Sequence, residues 1–183
     1  EIYLAQRTRF DKEPKKDDSP YHLVLLAENR EGYQNLSKIV SLGFLEGFYY
    51  KPRVDREVLK KYHKGLIALS ACLAGEIPQY LIEDRYEQAK LTAKEYEEVF
   101  GRGNFYLEIQ QHGLEDQTKV NLGLIRIARE LGIPLVATND IHYVNQEDAL
   151  AQDVLLCIQT GKTREEENRM RFANDQFYLK SEE

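Results

Sequence analysis

The chain has 183 residues, 42% hydrophobic and 31% charged, with a net charge of −6. That is long enough for one domain with a buried core and too apolar for a disordered chain. No apolar run is long enough to span a bilayer, and the acidic balance argues against a general nucleic-acid clamp while leaving room for one local basic contact.

Glu1 to Ala5 alternates as a strand, so the sequence opens inside a strand and is expected to be a piece of a longer polypeptide. Thr8 to Pro20 is polar, with Pro14, Pro20 and the run Lys15-Lys16-Asp17-Asp18, and is expected as a loop. His22 to Ala27 is a second strand. From Gly32 to about Phe44, Leu36, Ile39, Val40 and Leu42 recur at helical spacing, which Gly43 and Gly47 are expected to break. Phe48 to Arg53 reads as an aromatic and basic loop. Asp55 caps a short helix over 56–62.

Gly65 to Ser70 is a third strand leading into Ala71-Cys72-Leu73-Ala74-Gly75. A long helix follows from Asp84 to Phe100, with Ala89, Ala93, Tyr96 and Phe100 as its inner stripe. Phe105 to Ile109 is a fourth strand. Asp116 to Leu131 is a helix with Val120, Leu124, Ile127 and Leu131 on one side, stopped by Gly132. Ile133 to Ala137 reads as a buried parallel strand. A helix from about Gln146 to Gln159, a charged segment over 164–171 and an extended Phe177–Leu179 complete the chain. The alternation of strand and helix points to an α/β fold with a largely parallel sheet, open or rolled into a barrel.

The most informative stretch ends in Thr138-Asn139-Asp140-Ile141-His142. In extended backbone Asp140 and His142 share a face just past a strand's C-terminal end, where ligands collect in parallel α/β folds. A carboxylate and an imidazole there suit a divalent metal; the plainer alternative is a helix cap and a packed ring. Cys72 also follows a strand and would share that rim, as a metal thiolate or as a small apolar residue. Cys157 belongs to the core. His22 is expected as a hydrogen-bonded structural group, His63 as solvated, and His112 as a turn residue rather than part of a site. Lys51 and Arg53 follow three aromatics, a pattern that suits a phosphate beside a base or sugar, or equally aromatics packed on the fold with solvated cations. Nucleotide-binding glycine loops, a nucleophile elbow and the paired aspartates of nucleotidyl transfer are all missing, so residues 1–183 are not expected to polymerise anything by themselves. The two cysteines lie far apart, and with no secretory leader at its start the chain is expected in a reducing cytoplasm, off the membrane.

Six ordered stretches together carry a resemblance: 22–27, 32–36, 47–53, 70–76, 105–109 and 137–143. In this order the chain resembles the polymerase-and-histidinol-phosphatase (PHP) domain family, as it occurs at the N-terminus of bacterial DNA polymerase III α subunits. The tail, 177–182, resembles the start of the polymerase that follows. The resemblance implies a distorted seven-stranded β/α barrel, incomplete here, with residues 1–160 as the C-terminal part of the PHP domain and 161–183 as the link into the polymerase. It implies a cluster of up to three divalent metal ions, Zn or Mn, at the strand ends. Carried over by motif, the ligands present are Glu1, His22, Cys72, Asp140 and His142, with the remaining ligands upstream of Glu1. Glu1 lacks its preceding context, and His22 stands at the start of its strand, which leaves its place on the rim unexplained.

The function implied for the intact domain is a metal-dependent phosphoesterase, a 3′–5′ exonuclease, within a chain that synthesises DNA; residues 1–183 alone are expected to bind metal weakly and to be inactive. Implied partners are DNA, a separate proofreading exonuclease subunit and the sliding clamp. One rival is a structural module that braces the polymerase and docks that exonuclease subunit, its metal only stabilising the fold. A small-molecule phosphatase of the wider superfamily is the other.

Overall fold

The fold is that of a computed structural model describing residues 1–181; Glu182, the last residue of the tail motif, lies outside them. The strands are β1 (Ile2–Leu4), β2 (Tyr21–Ala27), β3 (Phe48–Tyr49), β4 (Lys51–Val54), β5 (Leu66–Leu69), β6 (Phe105–Ile109) and β7 (Leu135–Ala137). The helices are α1 (Arg30–Leu45), α2 (Arg56–Tyr62), α3 (Glu76–Ile82), α4 (Tyr86–Phe100), α5 (Glu115–Leu131) and α6 (Ala149–Thr160), the last preceded by one 3₁₀ turn.

Among the described residues the sheet has seven strands in the order β3-β4-β1-β2-β5-β6-β7. It is mixed rather than largely parallel. β1 with β4, β5 with β6 and β6 with β7 pair in parallel. β3 with β4, β1 with β2 and β2 with β5 pair antiparallel. The reversal sits at β2, which opposes both of its neighbours.

Helices cover one face of the sheet. Ile2, Leu4, Leu23, Leu25, Leu66, Ala68, Phe105 and Leu107 point into a single core with α1 to α5. Because side chains alternate along a strand, the other face carries Tyr3, His22, Val24 and Leu26, which are half-buried or exposed. Burial of the first face drives the fold; the second holds the polar chemistry.

Local chemistry explains most boundaries. Asn29 and Asp55 cap α1 and α2 by accepting from Gly32 N and Val58 N. Gly132 ends α5 in the left-handed region at φ 74°. The inner stripe of α4 is buried as its spacing predicts. α3 has no counterpart in the sequence reading; it is only seven residues long and contains Pro78. The proline stands in the first turn, where its missing N–H has no helical partner to lose.

Three expectations give way. Gly43 does not break α1, which continues to Leu45; α1 lies so close to β4 that a Cβ at Gly43 would stand 3.3 Å from Pro52 O. Residues 48–53 are not a loop but a tight hairpin, turned at Tyr50 with φ 56°. β7 is parallel but not buried: it is the edge strand, and Leu135 is 38% exposed. Residues 8–20 form a loop as expected, and it is pinned to the body, with Asp17 buried and Arg9 bound to Glu46, Asp55 and Glu57.

Candidate metal centre

The reversed strand settles the position of His22. β5, β6 and β7 run the same way, so their C-terminal ends share one rim. β2 runs against β5, so its first residues reach that rim too. The turn after β5 folds back along them: His22 N donates to Ala74 O at 3.0 Å. This turn requires a left-handed residue, Ala71 at φ 65°, and a glycine at 75, where a Cβ would sit 2.1 Å from Ser70 O.

The result is a cluster. One ligand atom each from Glu1, His22 and Cys72 lies within 4.8 Å of the other two. His22 Nδ1 is 3.2 Å from Glu1 Oε2 and 3.7 Å from Cys72 Sγ. A tetrahedral zinc with bonds of about 2.0–2.1 Å to N or O and about 2.3 Å to S has ligand–ligand edges of roughly 3.3–3.8 Å. The His22–Cys72 contact falls within that range and the His22–Glu1 contact just below it, and the donor set of carboxylate, imidazole and thiol suits a borderline divalent ion. Tyr3 packs edge-on against His22 at 5.2 Å between ring centres and walls the cluster on one side.

Electrostatics tie the three groups together. Cys72, then Glu1, hold a proton on His22 and raise its pKa to about 9, against the burial that opposes it. The hydrogen bond from His22 in turn holds the Glu1 carboxyl below the usual carboxylate range, with burial opposing and a smaller pull from His142.

Asp140 and His142 form a second pair, Oδ1 to Nε2 at 3.5 Å, outside the 4.8 Å cluster. They meet through a turn, with Asp140 at φ 45°, rather than by strand alternation as the sequence suggests. Their segment is held from beneath by His112, which is 1% exposed. Gln117 accepts from His112 N and offers its amide N–H to Nδ1 at 2.7 Å. Nδ1 is therefore the acceptor, and Nε2 donates to Asn139 O at 2.6 Å. His112 is a buried, fully hydrogen-bonded structural ring, in line with the turn role expected for it.

The tail closes over the same segment. His142 N donates to Phe177 O at 2.9 Å, and the Phe177 ring stacks on His112 at 4.4 Å. Phe172 lies 4.6 Å from the His142 ring.

The two candidate nucleic-acid residues part company. Arg53 is 0% exposed, and its guanidinium donates to Gly47 O, Asp17 O, Arg9 O and Asp11 O. It organises the 8–20 loop and has no face left for a phosphate, so the expected contact does not hold for this side chain. Lys51 is exposed, with Nζ 5.3 Å above the Tyr3 ring and thus close to the cluster. Cys157 is buried, as expected. His63 is half-buried, its ring bonded to Lys60 O. The sequence reading passed over Glu108, which is buried at the rim end of β6 with its carboxylate bonded to Ala71 N and Thr138 Oγ1. Its signal was a carboxylate inside the apolar run Phe105-Tyr106-Leu107-Glu108-Ile109.

A mixed sheet with helices on one face and a Glu–His–Cys cluster at a strand-end rim fits the family that the sequence motifs suggest. The PHP domain model matches residues 1–112, a span that contains Glu1, His22 and Cys72 and stops short of Asp140 and His142. The chain belongs to the PHP domain family. It is 50% identical over its whole length to the DNA polymerase III subunit alpha of Borreliella burgdorferi and 50% identical to that of Treponema pallidum. To the Thermus aquaticus protein of that name it is 49% identical, again over its whole length. The chain spans only 16%, 16% and 15% of the lengths of these three relatives.

Proposed function

We propose that the chain is part of a bacterial DNA polymerase III α subunit and that its PHP region is a metal-dependent phosphoesterase, a 3′–5′ exonuclease, in a protein that also synthesises DNA. The observation that carries the reading is the cluster of Glu1, His22 and Cys72, with Asp140 and His142 on the same rim. A divalent metal, Zn or Mn, held by these residues would activate a water and stabilise charge on phosphate oxygens. Lys51 offers an exposed cation to the phosphate, and Tyr3 beneath it offers a ring edge to the sugar or base.

In this reading the open sheet is part of a distorted β/α barrel. Residues 1–160 belong to the PHP domain and 161–183 lead into the polymerase. DNA is the substrate, the proofreading exonuclease subunit and sliding clamp are partners of the whole chain, and the setting is the cytoplasm. No helix among the described residues is long and apolar enough to cross a membrane.

The test uses the full-length protein. C72A should abolish release of nucleotides from a 3′-labelled strand while leaving DNA synthesis intact. An exonuclease rate unchanged in C72A and H22A, or absent from the parent, overturns the reading.

A second reading, a docking module whose metal only stabilises the fold, is favoured by one feature. Val40, Phe44, Leu45 and Phe48 are exposed side by side on α1 and the adjoining hairpin, between 42% and 82%. On that reading metal loss lowers the melting temperature and removes no nuclease activity.

A further inference from the structure

We infer that Glu108 is a positioning residue for the metal centre: its buried carboxylate fixes the spacing between the turn that carries Cys72 and the segment that carries Asp140 and His142. The inference rests on the metal-centre reading above and names a residue to which that reading gives no role.

Glu108 is 6% exposed at the rim end of β6, the strand between β5 and β7. One carboxylate oxygen, Oε2, accepts from Ala71 N at 3.1 Å. Ala71 is the left-handed residue immediately before Cys72. The other oxygen, Oε1, accepts from Thr138 Oγ1, two residues before Asp140, and from Gln110 Nε2 at 3.0 Å. Its own N–H donates to Ser70 Oγ at 2.8 Å, a second tie to the same turn. One side chain thus holds both neighbouring strand ends, and each hold lies within two residues of a ligand.

The bonds to this carboxylate come from neutral donors on the two neighbouring strand ends and from Gln110, and carboxylates that orient ligands from behind are a general feature of metal sites. Removing Glu108 releases the strained Ala71 amide and the Thr138 hydroxyl together, so Cys72 and Asp140 lose their common reference.

The test is cobalt(II) titration of the full-length protein, read by the thiolate-to-metal charge-transfer band that Cys72 ligation gives. E108A should bind cobalt about 10–100-fold more weakly, the usual cost of losing such a partner, with the band reduced or shifted. E108Q keeps the volume and one acceptor, and should fall between parent and E108A. Melting in chelator separates a purely structural role, which would lower stability and leave the band and the affinity ratio unchanged. Parent-like affinity and band in both variants overturn the inference. A parent that shows no charge-transfer band, or one that C72A does not remove, overturns the metal reading itself and the inference with it.

Discussion

At the residue scale, two basic side chains two positions apart have opposite fates. Lys51 and Arg53 look alike in sequence and share one face of β4, but the 8–20 loop closes over Arg53 alone, and four backbone carbonyls take its guanidinium. Each buried carbonyl left without a donor costs about 1–3 kcal/mol, so R53A should lose at least ~3 kcal/mol of stability by chemical denaturation. K51A should leave stability unchanged and weaken binding of a DNA 3′ end. Equal stability of R53A and the parent would contradict the structural role.

The sequence motif singled out both residues; it could not tell surface from interior, because that depends on the loop that closes over Arg53 and leaves Lys51 exposed. His22 carries the pH dependence. Its folded pKa is raised to about 9, above the ordinary value of about 6.5. In the metal-free protein its stabilising contribution is therefore complete below about 6.5 and lost as pH rises through about 9. Metal binding must displace the same proton, so apparent metal affinity should climb across this window. Melting in chelator from pH 6 to 10 should show the decline in the parent and a flatter profile in H22A. Identical slopes would count against it.

At the scale of elements, helix and strand types were legible wherever a single period governed. β6 and α2 fall where alternation and capping put them, and α4 and α5 start within two residues of expectation. What local patterns could not give was strand direction. β2 reads as another apolar strand, and only its pairing shows that it opposes both neighbours. That reversal turns His22 from a residue at the wrong end into a candidate ligand at the rim. The tail was legible only as extended residues, yet it packs against the Asp140–His142 segment through Phe177, which is 6% exposed. F177A should cost about 3–5 kcal/mol of local packing. Amide exchange over 139–144 and 172–179 should accelerate, while the β1–β2–β5 core stays protected. Unchanged exchange in 139–144 would show that the tail does not hold the pair.

At the scale of the molecule, the helices bury one sheet face and leave the chemistry on the other. The candidate site is assembled from Glu1, His22, Cys72, Asp140 and His142, far apart in sequence and joined only by the sheet order. Family resemblance pointed to all five, of which Glu1, His22 and Cys72 cluster and Asp140 and His142 form a separate pair; spacing alone suggested Asp140, His142 and Cys72 and passed over Glu108, whose contacts run across three strands. The chain alone should bind metal more weakly than the full-length protein, which offers further ligands on the PHP reading. The most direct test is anomalous diffraction at the zinc edge from crystals of the full-length protein grown with zinc. A peak should lie about 2.0–2.1 Å from His22 Nδ1 and about 2.3 Å from Cys72 Sγ, with Glu1 in its coordination shell. Density that shows these three side chains ordered and in mutual contact, with zinc bound elsewhere or not at all, would contradict the assignment.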